Sequence, residues 1–346
     1  MLVKEQNSKM VNPPKTWQKD SSHFIEAVKS KWYRHIVELD NLISYYTTLF
    51  YKKEGMKTLF LPITTNSISS PMGRGSDSSP VMISLFDVDT YLADSMQFLL
   101  EFGCRLFPEG CYYLMPSFRG EQADERHLCQ FYHSEAEIVG GLDDVIALVE
   151  RYVRYLTTNI LKEYQEGILE CAGSVEHIES VLNISGTFPR ITYREALKIL
   201  GDNEKYYSVL DRGEKVINSR GEKELIKQFK GVLWLTHMES ITVPFYQAES
   251  LKYPGTSETA DLLMGIGETV GSGARHTSSD QVLSSLKKHD VSPVDYEWYL
   301  DMKKNYPMET AGFGMGIERY LLWILNHGDI RDCQIIPRFN GIKTKI

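Results

Sequence analysis

The spacing of apolar residues predicts a long helix near the start of the chain, followed by a short buried strand. From residue 24 to residue 54, apolar positions recur at intervals of three and four, as on one face of an α-helix. Gly55 then breaks the pattern, and the apolar run 58–61 ends at Pro62. We therefore expect a helix, a glycine turn and a buried strand in this order.

The rest of the chain shows strand patterns separated by helical ones. Residues 111–118 and 128–139 are predicted to be strands with a charged loop between them, and an amphipathic helix is expected from 142 to 160. This order of helix, strands and helices differs from the βαβ alternation of a parallel sheet, and it favours an α+β fold with antiparallel strands. Further strands are expected at 231–236, 243–247, 260–264 and from 267, and further helices at 282–288, 296–305 and 317–327.

Three segments lack a pattern that would pack into a core. Residues 1–20 are polar and contain Pro13 and Pro14, so we expect a flexible arm or an edge extension. Residues 64–80 are predicted to be a long loop, which is either a surface linker or a lid over a site. Residues 165–230 are charge-rich and mixed in pattern, which indicates an insertion.

Composition and charge narrow the classes of protein that fit this pattern. The 346 residues carry a formal net charge of −8, and 42% of them are hydrophobic. These values exclude a disordered or collagen-like chain, and the acidity means that any contact with nucleic acid must be local. The five cysteines form no CxxC pair, so buried free thiols are expected rather than a zinc ribbon. With no apolar leader and no membrane-spanning apolar run, the sequence predicts a cytoplasmic protein.

A basic cluster occupies the loop between the strands predicted at 111–118 and 128–139. Arg119, Arg126 and His127 would form a clamp for a polyphosphate, because guanidinium groups bind phosphate oxygens in pairs. The alternative is a solvated hairpin tip, which also carries charged residues. The cluster alone does not decide between these two interpretations.

Acidic and glycine-rich segments follow in the C-terminal half. Asp261 and Glu268 flank a turn and would hold Mg²⁺ beside phosphates, although surface acidity is the alternative. Small residues at 271–274 allow a ligand to approach the backbone, with Arg275 facing an anion. The alternating glycines at 312–319 match neither the dinucleotide nor the P-loop fingerprint, so they form either a platform for a flat ligand or a structural turn.

Together these segments resemble the three motifs of class II aminoacyl-tRNA synthetases. The helix, Gly55 and strand ending at Pro62 resemble motif 1, and FRGEQADERHLCQFYHSEAEI at 118–138 resembles motif 2. GFGMGIERYLLWIL and its continuation to residue 338 resemble motif 3. The similarity is greatest to the aspartyl/asparaginyl subgroup, and within it to the asparaginyl enzymes.

The resemblance implies a domain organisation as well as a fold. It implies an antiparallel sheet flanked by helices, in a catalytic domain at 25–346 that contains the insertion 165–230 and follows an arm at 1–24. It also implies a homodimer formed through the motif 1 region. In the family an OB-fold that reads the anticodon precedes the catalytic core. Because motif 1 starts near residue 25 here, we expect that domain to be missing.

The resemblance assigns an ATP site to five basic or aromatic residues. Arg119 would hold the α-phosphate, and it would act with Arg319 as the catalytic charge on the reacting phosphate. Arg126 and His127 would bind the outer phosphates. Phe131 and Arg319 would enclose the adenine ring between an aromatic face and a guanidinium.

An amino-acid site and a metal site are implied beside the ATP site. Ser95 and Gln97 would position the amino acid, and Arg275 would bind its side chain or carboxylate. Glu121 would contact the adenine or the amino acid, and the loop 64–80 would be the lid. Asp261 and Glu268 would bind Mg²⁺ next to the phosphates of ATP. Glu268 would also contact the nucleotide.

Two positions bear on which amino acid is activated. Leu100 stands where aspartate-specific enzymes have a lysine, so a substrate carboxylate would lack that partner. Val243 stands where the family often has a basic residue. Both features favour a neutral, asparagine-like side chain, or a carboxylate that is bound by Arg275 alone.

Three functions remain open on the sequence. The first is a ligase that makes an Asp- or Asn-like adenylate from the amino acid and ATP and transfers the acyl group to ammonia or an amine. The acidity and the missing anticodon domain favour it over the second, a tRNA ligase without that domain. The third is a non-catalytic paralogue that senses an amino acid, which the intact Arg119, Asp261, Glu268 and Arg319 disfavour.

Overall fold

A computed structural model describes residues 10–18, 22–70, 78–210 and 213–343. Its helices are α1 His23–Lys29, α2 Lys31–Lys53, α3 Gln97–Leu106, α4 Leu142–Ala172, α5 Glu176–Leu182, α6 Tyr193–Leu200, α7 Ser219–Gln228, α8 Ser279–Lys288, α9 Glu297–Asn305 and α10 Ile317–Ile324. Its strands are β1 Lys57–Thr58, β2 Thr64–Thr65, β3 Val81–Leu85, β4 Val88–Leu92, β5 Cys111–Phe118, β6 Gln130–Val139, β7 Arg190–Thr192, β8 Tyr207–Val209, β9 Lys215–Ile217, β10 Val232–Thr236, β11 Thr259–Met264, β12 Gly267–Ala274 and β13 Thr310–Gly316.

One large sheet organises the molecule. Among the described strands its order is β1-β5-β6-β13-β12-β11-β10-β7, and the strands from β5 to β10 in this order are antiparallel to their neighbours. The outermost strands β1 and β7 run parallel to β5 and β10. The predicted α+β class with a largely antiparallel sheet is therefore confirmed, with parallel pairs added at both edges.

The two faces of this sheet have different partners because side chains alternate along each strand. One face packs against α2, α4 and α10, where Trp32, Ile36 and Trp234 belong to the main hydrophobic core. On the other face, α3 packs over β5 and β6, while α6 and α7 pack near β10 and β11. The gap between these two groups of helices is where the site lies. Of the helices in the described ranges, none is long and apolar enough to cross a membrane.

The helix predicted at 24–54 is two helices in the structure. Ser30 between α1 and α2 has an extended backbone (φ −77°, ψ 128°), so the ladder of helical hydrogen bonds breaks there. The apolar residues of α1 are largely exposed, whereas those of α2 from Trp32 onward form the core. The periodicity continued across a break that has no proline or glycine to mark it.

Two strand predictions were wrong in detail. The run 58–61 is not a buried strand, because only Lys57–Thr58 pair with β5, and the Phe60 side chain is 99% exposed. The segment 243–247 makes only a single bridge, from Gln247 to Arg275. Pro244 lacks an N–H group, and its carbonyl accepts a turn hydrogen bond from Gln247, so no regular ladder forms.

The three segments that lacked a packing pattern are partly tied to the fold. Val11 bonds to the end of α4, and Trp17 donates to Asp332 at 2.7 Å, while 1–9 and 19–21 lie outside the described residues. In the predicted loop 64–80, the amides of Ser69 and Ser70 bind the carboxylate of Asp94, and 71–77 lie outside the described residues. Residues 165–230 contribute β7 to the large sheet and α7 to its open face.

Candidate active site

Two adjoining cavities lie on the open face of the sheet. The larger has a volume of about 830 Å³ and the smaller about 290 Å³, and both are lined by Arg119, Arg126, His127, Glu268 and Arg319. Each residue that the sequence assigned to the site lines at least one of the cavities. Those found only in the larger one are Ser95, Gln97, Asp261 and Arg275, and those found only in the smaller one are Glu121 and Phe131.

The smaller cavity brings guanidinium groups next to an aromatic ring. The Arg119 guanidinium lies 5.5 Å from the centre of the Phe131 ring. Arg319, in the first turn of α10, donates to the backbone oxygen of Glu268 at 2.6 Å. The Nε of Arg119 and the Oε2 of Glu121 are buried and have no hydrogen-bond partner within the described residues. Such groups are costly to bury unless a ligand satisfies them.

Two basic residues of the 119–127 loop already have acidic partners. Arg126 donates to the carboxylate of Glu222 on α7 at 2.6 Å, and only 16% of each side chain is exposed. His127 contacts Asp124 at 3.0 Å in a solvent-exposed pair. Partial burial would raise the pKa of Asp124, but the backbone amide of Arg126 and the charge and hydrogen bonds of His127 outweigh it and lower that pKa below its usual value.

Asp261 and Glu268 face the same point on the sheet. A side chain at Gly271 would place its first carbon 2.8 Å from Glu268 Oε1 and 3.8 Å from Asp261 Oδ1. Burial, together with the charges of Glu268 and Glu222, raises the pKa of Asp261 well above its usual value. A cation between the carboxylates would relieve this repulsion. No group of three or more His, Cys, Asp or Glu that could hold a metal occurs in the described ranges. Two carboxylates completed by phosphate oxygens suit Mg²⁺.

The inner end of the larger cavity is built on alternate residues of β6. His133, Glu135 and Glu137 share one face of the strand, and Glu135 is bonded by Ser95 Oγ and by His133 Nδ1 at 2.9 Å. Burial would raise the pKa of Glu135, but His133, with Ser95 and Tyr113, lowers it below the usual value. Glu135 therefore presents an ionised carboxylate to the cavity.

Arg275 reaches the wall of the same end with its charge already balanced. Its Nε and Nη2 donate to the two oxygens of Glu137 at 3.1 and 3.0 Å, and its Nη1 donates to Gln247 Oε1 at 3.0 Å. Burial opposes the charge, but Glu137 raises the pKa of Arg275 above its usual value. Behind this pair, Lys303 bonds to Glu101 in a second buried ion pair.

The lining of the larger cavity includes residues that the sequence did not assign to the site, among them Glu135, Glu222, Tyr246 and Gln247. The alternation of His133, Glu135 and Glu137 in a strand offered a signal for Glu135. Glu222 carried none, because it lies in the charge-rich segment 165–230. Leu100 does not face a substrate as expected, since it packs with Cys104 and Tyr113 in a core cluster. Val243 does line the cavity.

Comparisons with known proteins agree with the fold and the motifs. A sequence model of the family "tRNA synthetases class II (D, K and N)" matches residues 20–340. The chain is 29% identical over 298 residues to an asparagine–tRNA ligase from Pyrococcus abyssi, covering 83% of this chain and 64% of that protein. It is 31% identical over 266 residues to an asparagine–tRNA ligase from Thermococcus kodakarensis, and that match covers 74% of this chain and 59% of that protein. The chain thus spans less than two thirds of the length of these relatives.

A solved structure of similar shape is the asparaginyl-tRNA synthetase from Pyrococcus horikoshii, complexed with asparaginyl-adenylate. Its TM-score is 0.82 at 25% sequence identity, and the match covers 92% of this chain and 71% of that one. The eight-stranded order, the motif 2 and motif 3 residues that line the cavities and the family match over residues 20–340 all support the same family. The chain is therefore a member of the class II tRNA synthetases of the aspartyl, lysyl and asparaginyl group.

Proposed function

We propose that the chain uses ATP to activate an asparagine-like amino acid as an aminoacyl-adenylate and transfers the acyl group to a tRNA. The observation that carries this proposal is the pair of adjoining cavities. One has the arginines and the aromatic ring that a nucleotide needs, and the other ends in a polar pocket that fits a small amino acid. Arg119, Glu268 and Arg319 belong to both, so the two substrates would meet there.

Activation needs no protein nucleophile. A carboxylate oxygen of the amino acid attacks the α-phosphorus of ATP, the bond to the β-phosphate oxygen breaks, and pyrophosphate leaves. Arg119 would hold the α-phosphate and neutralise the charge that grows on it. Phe131 and Arg319 would enclose the adenine, while Arg126 and His127 would bind the outer phosphates.

Glu121 lies where it would orient the nucleotide or the amino acid. Its Oε1 accepts a hydrogen bond from the amide of Ser79, and its Oε2 has no partner within the described residues. Mg²⁺, when bound by Asp261 and Glu268, supplies positive charge to the phosphates. The carboxylates otherwise repel the triphosphate, so ATP binding and metal binding would depend on each other.

A neutral side chain suits the inner pocket better than a carboxylate. Glu137 balances Arg275, and the cavity has Val243 where the family often has a basic residue. Glu135 adds a negative charge near Ser95 and Gln97. A substrate ammonium group or amide N–H would be favoured beside Glu135, whereas a substrate carboxylate would be repelled. Asparagine fits this balance, and aspartate does not.

The comparisons with known proteins change which acceptor of the acyl group is favoured. The sequence favoured ammonia or an amine, but the matching family and the named relatives are tRNA synthetases and tRNA ligases. They support the tRNA acceptor better. The acidity of the chain does not oppose a local contact with an acceptor stem. The non-catalytic alternative is disfavoured because the residues assigned to ATP all line the cavities.

A homodimer through the motif 1 region is part of the proposal. Phe60 follows β1 at the edge of the large sheet and is 99% exposed, so this edge presents an apolar ring to any partner that covers it. A second copy covering this edge would bury it. The arm at 1–24, the catalytic domain at 25–346 with its insertion, and the lid at 64–80 also remain proposals.

The experiment that tests the proposal traps the intermediate and then offers it acceptors. The chain is incubated with ATP, magnesium chloride and each amino acid in turn, and the adenylate is detected by mass spectrometry. It is then chased with tRNA, with ammonium chloride or with buffer. We expect an asparaginyl-adenylate that releases AMP on addition of tRNA. Release by ammonium alone would select the amine acceptor, and no adenylate with any amino acid would refute the proposal.

A further inference from the structure

Helix α7 brings an acidic side chain into the cavity from the segment 165–230. Glu222, in the first turn of α7, lines the larger cavity together with Arg126, Asp261 and Glu268. The segment therefore does more than extend the sheet. Its helix places a carboxylate beside the residues to which we assign the triphosphate and the metal.

The contact between Glu222 and Arg126 is close and largely shielded from water. The Nη2 to Oε2 distance is 2.6 Å, and 16% of each side chain is exposed. The Nε of Arg126 is buried and has no hydrogen-bond partner within the described residues. Arg126 therefore binds Glu222 through Nη2, and its Nε–H is available to donate to another acceptor.

Gly267 makes room for this pair at the start of β12. A side chain there would place its first carbon 2.3 Å from Glu222 Oε2 and 2.8 Å from Arg126 Nη2, closer than any real contact. Its φ of +151° is also a conformation that other residues rarely adopt. The Arg126–Glu222 pair thus lies in a space that only a glycine at position 267 leaves open.

Glu222 and a triphosphate would compete for the same arginine. If Arg126 binds the outer phosphates, as the proposed function requires, its guanidinium must turn at least partly from a carboxylate to phosphate oxygens. The bonds of Arg126 to the carboxylate and to phosphate oxygens are both charge-assisted and similar in geometry. Breaking the bond to Glu222 therefore costs part of the free energy that is gained by binding the phosphates. Glu222 also adds negative charge next to Asp261, which opposes the approach of an anion.

We propose that Glu222 is a latch that pairs with Arg126 and weakens the binding of ATP, through its outer phosphates, at the active site. This inference rests on the proposed function, because it takes the nucleotide site from there. It gives the segment 165–230 a role in setting the affinity for ATP. Glu222 acts through Arg126, so it is a positioning residue and not a catalytic one.

The test compares nucleotides with and without outer phosphates. Dissociation constants for ATP and for AMP, each with magnesium chloride, are measured by calorimetry for the wild type and for Glu222→Gln. We expect ATP to bind about threefold to tenfold more tightly to the variant, because a competing charge-assisted bond is removed. AMP should bind equally to both, since it lacks the phosphates that Arg126 would hold.

Two further variants separate the latch from simpler effects. Glu224→Gln removes the same charge from α7, where Glu224 bonds to Gln228, and it should leave ATP binding unchanged. In an Arg126→Ala background, Glu222→Gln should lose most of its effect, because the residues act as a pair. A gain that persists without Arg126 would show a general charge effect and overturn the latch.

Failure of the latch is distinguishable from failure of the proposed function. If Glu222→Gln binds ATP as the wild type does, or more weakly while its thermal unfolding is unchanged, Glu222 supports the site and the latch is wrong. If the wild type binds no ATP, the proposed function fails and the latch fails with it. A thermal melt of each variant confirms that it is folded.

Discussion

Glu137 and Arg275 form a two-bond ion pair at the inner end of the larger cavity, with at most 2% of either side chain exposed. The guanidinium lines the cavity, and the carboxylate lies behind it on β6. This arrangement offers the substrate an arginine that donates hydrogen bonds but adds no net charge. The balance of charge, rather than any single residue, would then separate an amide from a carboxylate.

Replacing Glu137 tests that balance directly. Glu137→Gln would leave Arg275 buried without an opposing charge, so we expect a loss of about 3 kcal/mol in the free energy of unfolding, measured in urea. Because Arg275 would then attract anions, activation of aspartate should rise relative to asparagine in pyrophosphate–ATP exchange. An unchanged ratio of the two amino acids would contradict the role given to this pair.

The second buried pair, between Lys303 and Glu101, supports the site from α9. Both side chains are fully buried, and Lys303 also donates to the backbone oxygen of His276. Lys303→Met would leave Glu101 unpaired, so we expect a loss of about 3–5 kcal/mol in the free energy of unfolding. The control is Lys215→Met, which removes a solvent-exposed pair with Asp202 and should leave the free energy of unfolding close to that of the wild type. Equal losses of stability in the two variants would contradict the importance given to the buried pair.

Arg119 should be needed for its shape as well as its charge. Arg119→Lys keeps one positive charge but loses the paired donors that fit a phosphate, so we expect the exchange rate to fall about 100-fold with stability unchanged. Arg154→Lys is a matched control, because Arg154 also lies over an aromatic ring, that of Phe188 at 4.3 Å, on another part of the molecule. A similar fall in both variants would show a general effect of the substitution.

His276 gives a prediction about pH. Burial, with the nearby charge of Lys303, lowers the pKa of His276 to about 4, against an ordinary value of about 6.5. The unfolded chain therefore takes up the proton first, and stability present above pH 6.5 is lost as the pH falls towards 4. The contribution is up to about 3 kcal/mol. Unfolding midpoints of the wild type should fall more steeply over this range than those of His276→Gln. Parallel curves would refute the assignment.

Local sequence patterns were enough to predict helices and strands whose buried residues recur with a regular spacing along the chain. Strands β5, β6, β10 and β11 and helices α8 and α9 lie close to where alternation or helical spacing placed them, because their buried faces follow from the pattern. The break at Ser30 and the exposure of Phe60 were not predictable in this way. The first depends on backbone geometry, and the second depends on which edge of the sheet a short strand joins.

The site shows the same division. Motif residues such as Arg119 and Arg319 were recognisable because residue type and spacing carry the chemistry of phosphate binding. The partners of these residues were not, since Glu222 meets Arg126 only after 96 residues of chain have folded back. Likewise Glu137 balances Arg275 across 138 residues. Charge balance is a property of the folded structure, and it decides the proposed preference for asparagine.

The central claim is that this site activates an asparagine-like amino acid with ATP. Its most direct test is pyrophosphate–ATP exchange by the wild-type chain with each of the twenty amino acids under identical conditions. We expect exchange that depends on asparagine and is at least about tenfold weaker with aspartate, since an unpaired substrate carboxylate beside Glu135 is disfavoured. Exchange that prefers aspartate would contradict the charge balance of the pocket, and no exchange with any amino acid would contradict the activity itself.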